Sequence, residues 1–94
     1  MDDKKDMRVI ADCLRKKGLK LTRNRISILY LLYRLNNEVN VYVSREYIYT
    51  HPYLNGISRR TIRDNLVALK EHGIIDDGIN ISMLELYYPN KKPV

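Results

Sequence analysis

The chain has 94 residues, of which 45% are hydrophobic and 30% charged, and its formal net charge is +6 at pH 7. This length fits one domain with a modest core, and the hydrophobic content excludes a disordered chain. The sequence has neither a run of 18 apolar residues nor the apolar stretch of a signal peptide, so we expect a cytoplasmic protein that does not cross a membrane.

The first helix is predicted from apolar residues that recur at intervals of three and four positions, which is the period of one helix face. These residues are Met7, Ile10, Ala11 and Leu14. Gly18 follows them, and we expect it to end the helix because glycine is common just after a helix terminus. Val9 and Cys13 lie beside the core face of this helix.

Three later helix starts share one pattern: an apolar residue, then Ser or Thr, then an isoleucine four positions after the Ser or Thr. The Ser or Thr side chain caps the helix, and the two apolar residues pack against each other across the cap. The pattern occurs in LTRNRI (21–26), VSREYI (43–48) and ISRRTI (57–62). It predicts helix starts at Thr22, Ser44 and Ser58.

The second helix, about 22–36, is apolar on nearly all sides, since only Ser27 and Arg34 are polar between Ile26 and Leu35. Two explanations are open for such a helix. Either it lies at the centre of the domain, or it keeps one face for a partner subunit.

A short strand and two more helices are predicted after it. VYV (41–43) contains β-branched and aromatic residues and predicts the strand. Pro52 should end the third helix near Thr50, because proline cannot continue a helix. The fourth helix is predicted over 58–72, and its core face consists of Ile62, Leu66 and Leu69.

A β-hairpin is predicted at the end of the domain. GIID (73–76) begins the first strand, and SMLELYY (82–88) supplies the return strand, in which Leu84, Leu86 and Tyr88 alternate on one face. We therefore expect one mainly helical domain with a small hairpin over 1–88, followed by a flexible basic tail over 89–94.

This order of elements is that of the winged helix-turn-helix fold. GISRRTIRDNLVALKEHGII (56–75) resembles the recognition helix and the start of the wing in prokaryotic winged-helix regulators, through its capping serine, arginines, core leucines and closing glycine. KKGLKLTRNRISILYLL (16–32) is similar to the opening of ferric uptake regulator domains, and the two stretches together cover about 37 of the 94 residues. The metal ligands and second domain of the ferric uptake family are missing, so the resemblance does not imply metal sensing.

The resemblance implies that the fourth helix enters the major groove of double-stranded DNA. Arg59 and Arg60 lie in its first turn, where a cation costs about 0.3–1 kcal/mol because the helix end is positive. Phosphates and guanine edges would offset this cost. Around them, Ser58 is the cap and Thr61 flanks the outward face. A helical projection places on that face Arg60, Arg63, Asp64 and Val67, the valine being suited to a thymine methyl group.

Simpler explanations exist for several of these side chains. Arg60 and Asp64 lie four positions apart, so a solvated ion pair is the alternative to a DNA contact. Ser58 and Thr61 are explained equally well by satisfaction of helix amides. A lone exposed valine such as Val67 needs no function.

A second group of cations surrounds the predicted start of the second helix. From Lys20, Arg23 and Arg25 we expect contacts with DNA phosphates, although a solvated basic face is the alternative. The full run contains no acid and comprises Arg15, Lys16, Lys17, Lys20, Arg23 and Arg25.

The predicted wing, DDGINIS (76–82), carries Asp76 and Asp77 and no cation, so the DNA backbone should repel it. Two explanations are open. Either the wing makes no contact, or the tail with Lys91 and Lys92 contacts DNA in its place.

Few residues suit catalysis or metal binding. Cys13 is the only cysteine, and His51 and His72 are the only histidines. A structural zinc site normally takes four such ligands, so these three do not predict one. A nucleophilic Cys/His pair formed by the fold is an alternative, but Cys13 buried on a helix is the simpler expectation. We therefore expect no enzyme activity, no metal, no cofactor and no small-molecule ligand.

These features predict a sequence-specific double-stranded DNA-binding protein that regulates transcription as a homodimer. The expected pairing surface consists of Val9 and Cys13 on the first helix with Tyr30 and Tyr33 on the second. Two alternatives are open. One is a protein–protein interaction module, which the eight tyrosines would suit, and the other is a replication-associated DNA-binding protein. The positive charge would also suit an anionic membrane surface, but only the first helix is a candidate anchor and it is a poor one.

Overall fold

The computed structural model describes residues 3–39, 43–78 and 80–86. Its helices are α1 (Asp3–Lys16), α2 (Arg23–Arg34), α3 (Arg45–Tyr49) and α4 (Arg59–Glu71), and its strands are β1 (Ile75–Asp77) and β2 (Ile81–Met83). A π-helical turn, Leu35–Val39, extends α2, and a 3-10 turn, Pro52–Leu54, follows α3. None of these helices is long and apolar enough to cross a membrane. The described chain is thus mainly helical with one small antiparallel hairpin, and the predicted tail (89–94) lies outside it.

The three predicted helix caps are confirmed. The Thr22 hydroxyl accepts a hydrogen bond from the backbone N–H of Arg25 at 3.1 Å. Ser44 accepts from the third residue of α3 at 3.2 Å, and Ser58 does the same for α4 at 3.1 Å. In each case the side chain satisfies one of the first N–H groups of the helix, which have no partner within it.

Two glycines end helices, as predicted. Gly18 and Gly73 have φ values of +78° and +75°, a left-handed conformation that residues with a Cβ rarely adopt. The residue after each glycine donates its N–H back to the helix, from Leu19 to the Leu14 carbonyl and from Ile74 to the Leu69 carbonyl, both at 2.9 Å. This pairing satisfies helix carbonyls and turns the chain sharply.

α2 lies at the centre of the domain. The six consecutive residues 28–33 are all buried, because α1, α4, β2 and the 3-10 turn pack around the helix. Tyr30 and Tyr33, expected in a subunit interface, are only 7% and 9% exposed, so that expectation is wrong for these two side chains. The central position is the correct explanation of this apolar helix. The other elements contribute to the core Ile10, Leu14, Ile48, Leu54, Ile62, Leu66, Leu69, Ile74, Ile75 and Ile81.

Two buried asparagines connect the end of α2 to the hairpin and the segment after it. The Asn36 side-chain oxygen accepts a hydrogen bond from the backbone N–H of Met83 at 2.6 Å. The Asn37 side-chain amide donates to the carbonyls of Tyr33 and Leu86, both at 2.9 Å. Polar side chains are tolerated here because their hydrogen-bonding groups have backbone partners.

The hairpin pairs β1 with β2 in antiparallel register, with Ile75 opposite Met83 and Asp77 opposite Ile81. Val43 forms a bridge to Ile81 on the other side of β2. The strand predicted over 41–43 is described only at this last residue, which places the chain entering α3 beside the hairpin.

The return strand is shorter than predicted, because it ends at Met83 and does not continue to Tyr88, which lies outside the described residues. The backbone N–H groups of Leu84 and Glu85 both turn back to the Ile74 carbonyl, at 2.9 and 3.2 Å. Leu84 is 61% exposed, and Leu86 is half-buried with a φ of +65°. The predicted alternation of Leu84 and Leu86 on one face is therefore wrong, since β1 is too short to pair with a longer strand.

Candidate nucleic-acid interface

The outward face of α4 carries the side chains that the helical projection placed there. Arg60, Arg63, Asp64 and Val67 are all exposed, and the valine is 45% exposed. The opposite face, formed by Ile62, Leu66 and Leu69, is buried against the core. The helix therefore presents two cations, an acid and an apolar group from a rigidly packed element.

The Arg60 side chain has no hydrogen bond or ion pair among residues 3–39, 43–78 and 80–86. The predicted alternative, an ion pair between Arg60 and Asp64, is not formed. Instead, Asp64 lies 3.9 Å from the Nε atom of Arg63, and both of these side chains are exposed to water. Arg60 is thus a first-turn cation whose unfavourable interaction with the helix end is not offset by any described residue.

Arg59 has different surroundings, although it is the next residue in the sequence. Its guanidinium forms an ion pair with Glu46 of α3 and lies over the ring of Tyr49, 4.4 Å from the ring centre. A cation over an aromatic face and an opposite charge both stabilise this position. Arg59 therefore connects α3 to α4, a partnership that the sequence prediction did not include.

Ser58 and Thr61 are engaged with each other and with the helix. The Ser58 hydroxyl donates to the hydroxyl of Thr61 at 2.9 Å, in addition to its role as the cap. The simpler explanation therefore holds for Ser58, which satisfies a helix amide, whereas the Thr61 hydroxyl has the Ser58 hydroxyl as its partner.

Arg25 links the second basic group to α4. Its Nε atom donates to the side-chain oxygen of Asn65 at 2.9 Å, and its Nη1 atom donates to the Lys20 carbonyl at 3.1 Å. Asn65 is buried and donates in turn to the Thr61 carbonyl at 2.9 Å. Arg25 therefore holds the start of α2 against α4, and this structural role was missed because Asn65 lies 40 positions away in the sequence.

Apart from Lys16, which is exposed at the end of α1, the remaining cations of this basic group fall into two sets. Lys20 and Arg23 are exposed beside the start of α2. Arg15 forms an ion pair with Asp12 at 2.9 Å, and Lys17 forms one with Glu85 at 3.3 Å. Since Arg25 brings the start of α2 to α4, Lys20 and Arg23 are the members best placed to extend a basic surface from α4.

A groove between α3, α4 and the hairpin contains two cations, Arg45 and Lys70, that are not among the predicted DNA-binding residues. It is lined by Arg45, Tyr49, Arg63, Leu66, Val67, Lys70, Glu71 and Asp77. Arg45 is the first residue of α3 after its capping serine, just as Arg59 is in α4. An arginine directly after a capping serine is therefore the sequence feature that could have identified both residues. Lys70 lies two turns beyond Arg63 on the same side of α4.

One acid of the predicted wing is neutralised within the protein. The Nη2 atom of Arg45 lies 2.9 Å from a carboxylate oxygen of Asp77 and 3.4 Å from the carbonyl of Gly78. The Asp77 side chain is only 9% exposed, whereas Asp76 is exposed. The hairpin is therefore less repulsive to DNA than its sequence suggests. Lys91 and Lys92, considered as substitutes, lie outside the described residues.

Cys13 and the two histidines lie in separate surroundings. Burial raises the pKa of the Cys13 thiol, the Glu85 carboxylate raises it further, and Lys17 and Lys16 act in the opposite direction. His51 accepts a hydrogen bond from the backbone N–H of Tyr53, and His72 contacts the Ala68 carbonyl. The described residues contain no cluster of three or more potential metal ligands. The sulfur is thus a protonated thiol packed on α1, the simpler of the two expectations.

Three comparisons, with protein-family models, with curated proteins and with solved structures, found no significant match to the chain.

Proposed function

We propose that this protein binds double-stranded DNA sequence-specifically, with α4 in the major groove, and regulates transcription. The observation that carries the proposal is the exposed face of α4. Arg60 has no partner in the described part of the chain, and Arg63 and Val67 follow it on one face of a helix anchored by its opposite side. Arginine is the residue that most often reads guanine, and an apolar group suits the thymine methyl.

The surroundings of α4 support the same function. Arg25 holds the start of α2 against α4, so Lys20 and Arg23 extend the positive surface to a neighbouring helix start. Contacts of this kind with phosphates position a protein on DNA without reading its sequence. The formal charge of +6 favours the encounter with DNA over long distances.

The order of elements also agrees with a winged helix-turn-helix. α3 and α4 are consecutive helices joined by residues 50–58, which include the 3-10 turn, and a hairpin follows α4. Val43, just before α3, bridges to β2, so the chain entering α3 joins the hairpin as a third strand would. This arrangement is the expected scaffold for a recognition helix.

We also propose that the protein acts as a homodimer on an inverted repeat, because one small helical module buries little DNA surface. With Tyr30 and Tyr33 buried, the remaining candidate surface is a groove on α1 beside the segment after β2. Its apolar residues are Val9, Cys13 and Leu86, and both acids and cations surround them. A mixture of acids and cations allows such a surface to face its own copy across a two-fold axis, because an acid of one subunit can then meet a cation of the other. The surrounding charges are Asp12, Lys16, Lys17 and Glu85.

Selection from random duplex DNA followed by sequencing tests this function. We expect enrichment of a short motif that occurs twice in inverted orientation, with half-site centres about 10 bp, or one helical turn, apart. Enrichment of a single half-site would retain DNA binding and contradict the dimer. A pool that stays random after repeated rounds would contradict sequence-specific binding.

An exposed aromatic surface favours the alternative of a protein–protein interaction module. Tyr47 and Tyr53 are 49% and 46% exposed, and the Tyr47 ring packs edge-on against His51. Exposed tyrosines are enriched at protein interfaces. DNA binding distinguishes the two functions, because an interaction module of this kind would not enrich a duplex motif.

A further inference from the structure

The groove between α3, α4 and the hairpin is lined by both positively charged and apolar side chains. Three cations, Arg45, Arg63 and Lys70, come from two different helices, and Val67 lies on the same side of α4 between the last two. A sugar-phosphate strand presents the matching chemistry, since its phosphates are anionic and its deoxyribose rings are largely apolar. On the basis of the proposed function, we propose that this groove binds the backbone of one DNA strand, with Arg45 and Lys70 as phosphate contacts.

Two contacts hold Arg45 in position and leave part of its guanidinium group free to donate hydrogen bonds. Its contacts with Asp77 and with the carbonyl of Gly78 both use the Nη2 atom. A guanidinium has five N–H groups in a planar fork, so the Nε and Nη1 groups remain available for phosphate oxygens. In this ion pair the Asp77 side chain is only 9% exposed, whereas the Arg45 side chain is half-exposed and faces the solvent.

Lys70 extends the same surface along α4. It lies seven residues after Arg63, which corresponds to about 10 Å along the helix axis. A base-pair step rises about 3.4 Å along the DNA axis, so this separation is longer than one step. The Lys70 side chain is exposed and has no ion pair among the described residues. It can therefore meet the backbone a few nucleotides from the bases that Arg60 and Arg63 contact.

The same geometry resolves the difficulty posed by the acidic hairpin. In the described part of the hairpin, Asp76 and Asp77 are the charged residues and no cation is present. Arg45 brings a positive charge from α3 to this place and neutralises one of the two acids. The backbone then runs between α4 and the hairpin and makes its contacts with helix residues, while the hairpin itself does not enter a groove.

Two charge-removing variants and one charge-retaining variant test the proposal. Arg45→Gln and Lys70→Gln should each weaken binding to selected and random duplexes by the same factor, because phosphate contacts carry no sequence information. Each should also make the slope of log K against log salt less negative by about 0.9 for every bound subunit, because one phosphate contact is lost from each. Arg45→Lys should retain the wild-type slope. Lys4→Gln, which removes a charge on α1 outside this groove, is the control and should change little.

The outcomes separate this proposal from the proposed function. If wild-type protein binds duplex DNA with a steep slope but Arg45→Gln and Lys70→Gln leave that slope unchanged, the groove assignment is overturned and DNA binding stands. Thermal unfolding shows whether Arg45→Gln destabilises the protein through the hairpin. If it does, the slope of the Lys70→Gln variant alone decides whether the groove binds the DNA backbone. Absence of duplex binding by the wild type would overturn both, and so would tighter binding to poly-glutamate than to duplex DNA.

Discussion

Arg59 and Arg60 show how two adjacent, identical side chains acquire different roles. Arg59 has Glu46 and Tyr49 of α3 as partners, so the protein itself offsets the cost of its charge in the first turn of α4. Arg60 has no such partner in the described part of the chain. Under the proposed function, base or phosphate contact therefore falls mainly to Arg60 and Arg63, and Arg59 links the two helices.

This assignment predicts how substitutions on α4 affect sequence discrimination. Arg60→Ala or Arg63→Ala should reduce the preference for a selected site over random duplex by about 1–3 kcal/mol, the usual contribution of a base-reading arginine. Lys20→Ala should weaken binding to both duplexes equally, and it is a cleaner control than Arg25→Ala, which also removes the Asn65 contact. Fluorescence anisotropy with both duplexes measures the ratio. A wild-type ratio in the Arg60 and Arg63 variants would show that the assignment is wrong.

A second prediction concerns the acid that holds Arg59. Glu46→Gln removes a negative charge next to the proposed DNA-binding face and releases the guanidinium, so all duplexes should bind about two- to fivefold more tightly. This factor corresponds to roughly 0.4–1 kcal/mol, within the range of exposed ion pairs. Asp12→Asn breaks the comparable exposed pair with Arg15 on α1 and serves as the matched control. Unchanged or weaker binding by Glu46→Gln would mean that Glu46 does not compete with DNA for Arg59.

At the scale of elements, local signals were sufficient for most boundaries. The caps at Thr22, Ser44 and Ser58 were predicted correctly because a cap depends on residues within one turn of each other. The ends at Gly18 and Gly73 were correct for the same reason. These signals define where helices begin and end, and together with periodicity they predict the exposed face of α4.

The features that were not predicted depend on contacts between distant residues. The end of α2 is held by Asn36 and Asn37, whose partners Met83 and Leu86 lie 47 and 49 positions away. The early end of β2 depends in the same way on the Ile74 carbonyl. In the candidate site, the ion pair between Arg45 and Asp77 was not predicted either. These two residues are far apart in the sequence, and only the fold brings them together.

The buried asparagine gives a prediction about stability. Asn36→Ala leaves the backbone N–H of Met83 without this acceptor in a buried place, so the free energy of unfolding should fall by about 1–3 kcal/mol. Urea denaturation measures the change. Asn80→Ala, on the exposed part of the hairpin, is the control and should stay within about 0.5 kcal/mol of the wild type. A similar loss in both variants would show that the Asn36 contact has no special role.

At the scale of the whole molecule, the central position of α2 restricts how two copies can pair. The tyrosines of α2 belong to the core, so an interface must use the outer surface, and the α1 groove with Val9 is its candidate. Cys13 is buried, and burial raises the pKa of its thiol, so formation of the thiolate that a disulfide bridge between subunits requires is disfavoured. Pairing would then depend on apolar contact and on the mixed charges around the groove.

A charged residue at the α1 groove tests the dimer. Val9→Glu should convert the protein from a dimer to an 11.2 kDa monomer at micromolar concentration and weaken binding to an inverted repeat. Sedimentation velocity measures the mass, and the circular dichroism spectrum should stay that of the wild type, because Val9 is only half-buried. Tyr47→Glu, on a different exposed surface, is the control. A wild-type protein that sediments as a monomer alone and binds DNA one to one would contradict the dimer.

The central claim, that the positive surface around α4 binds double-stranded DNA, is tested most directly by the salt dependence of binding to a duplex. Each neutralised phosphate contributes about −0.9 to the slope of log K against log salt. The cations on α4 and at the start of α2 predict a slope of several negative units, steeper still for a dimer. A flat dependence on salt, or no binding to duplex DNA at low salt, would contradict the claim.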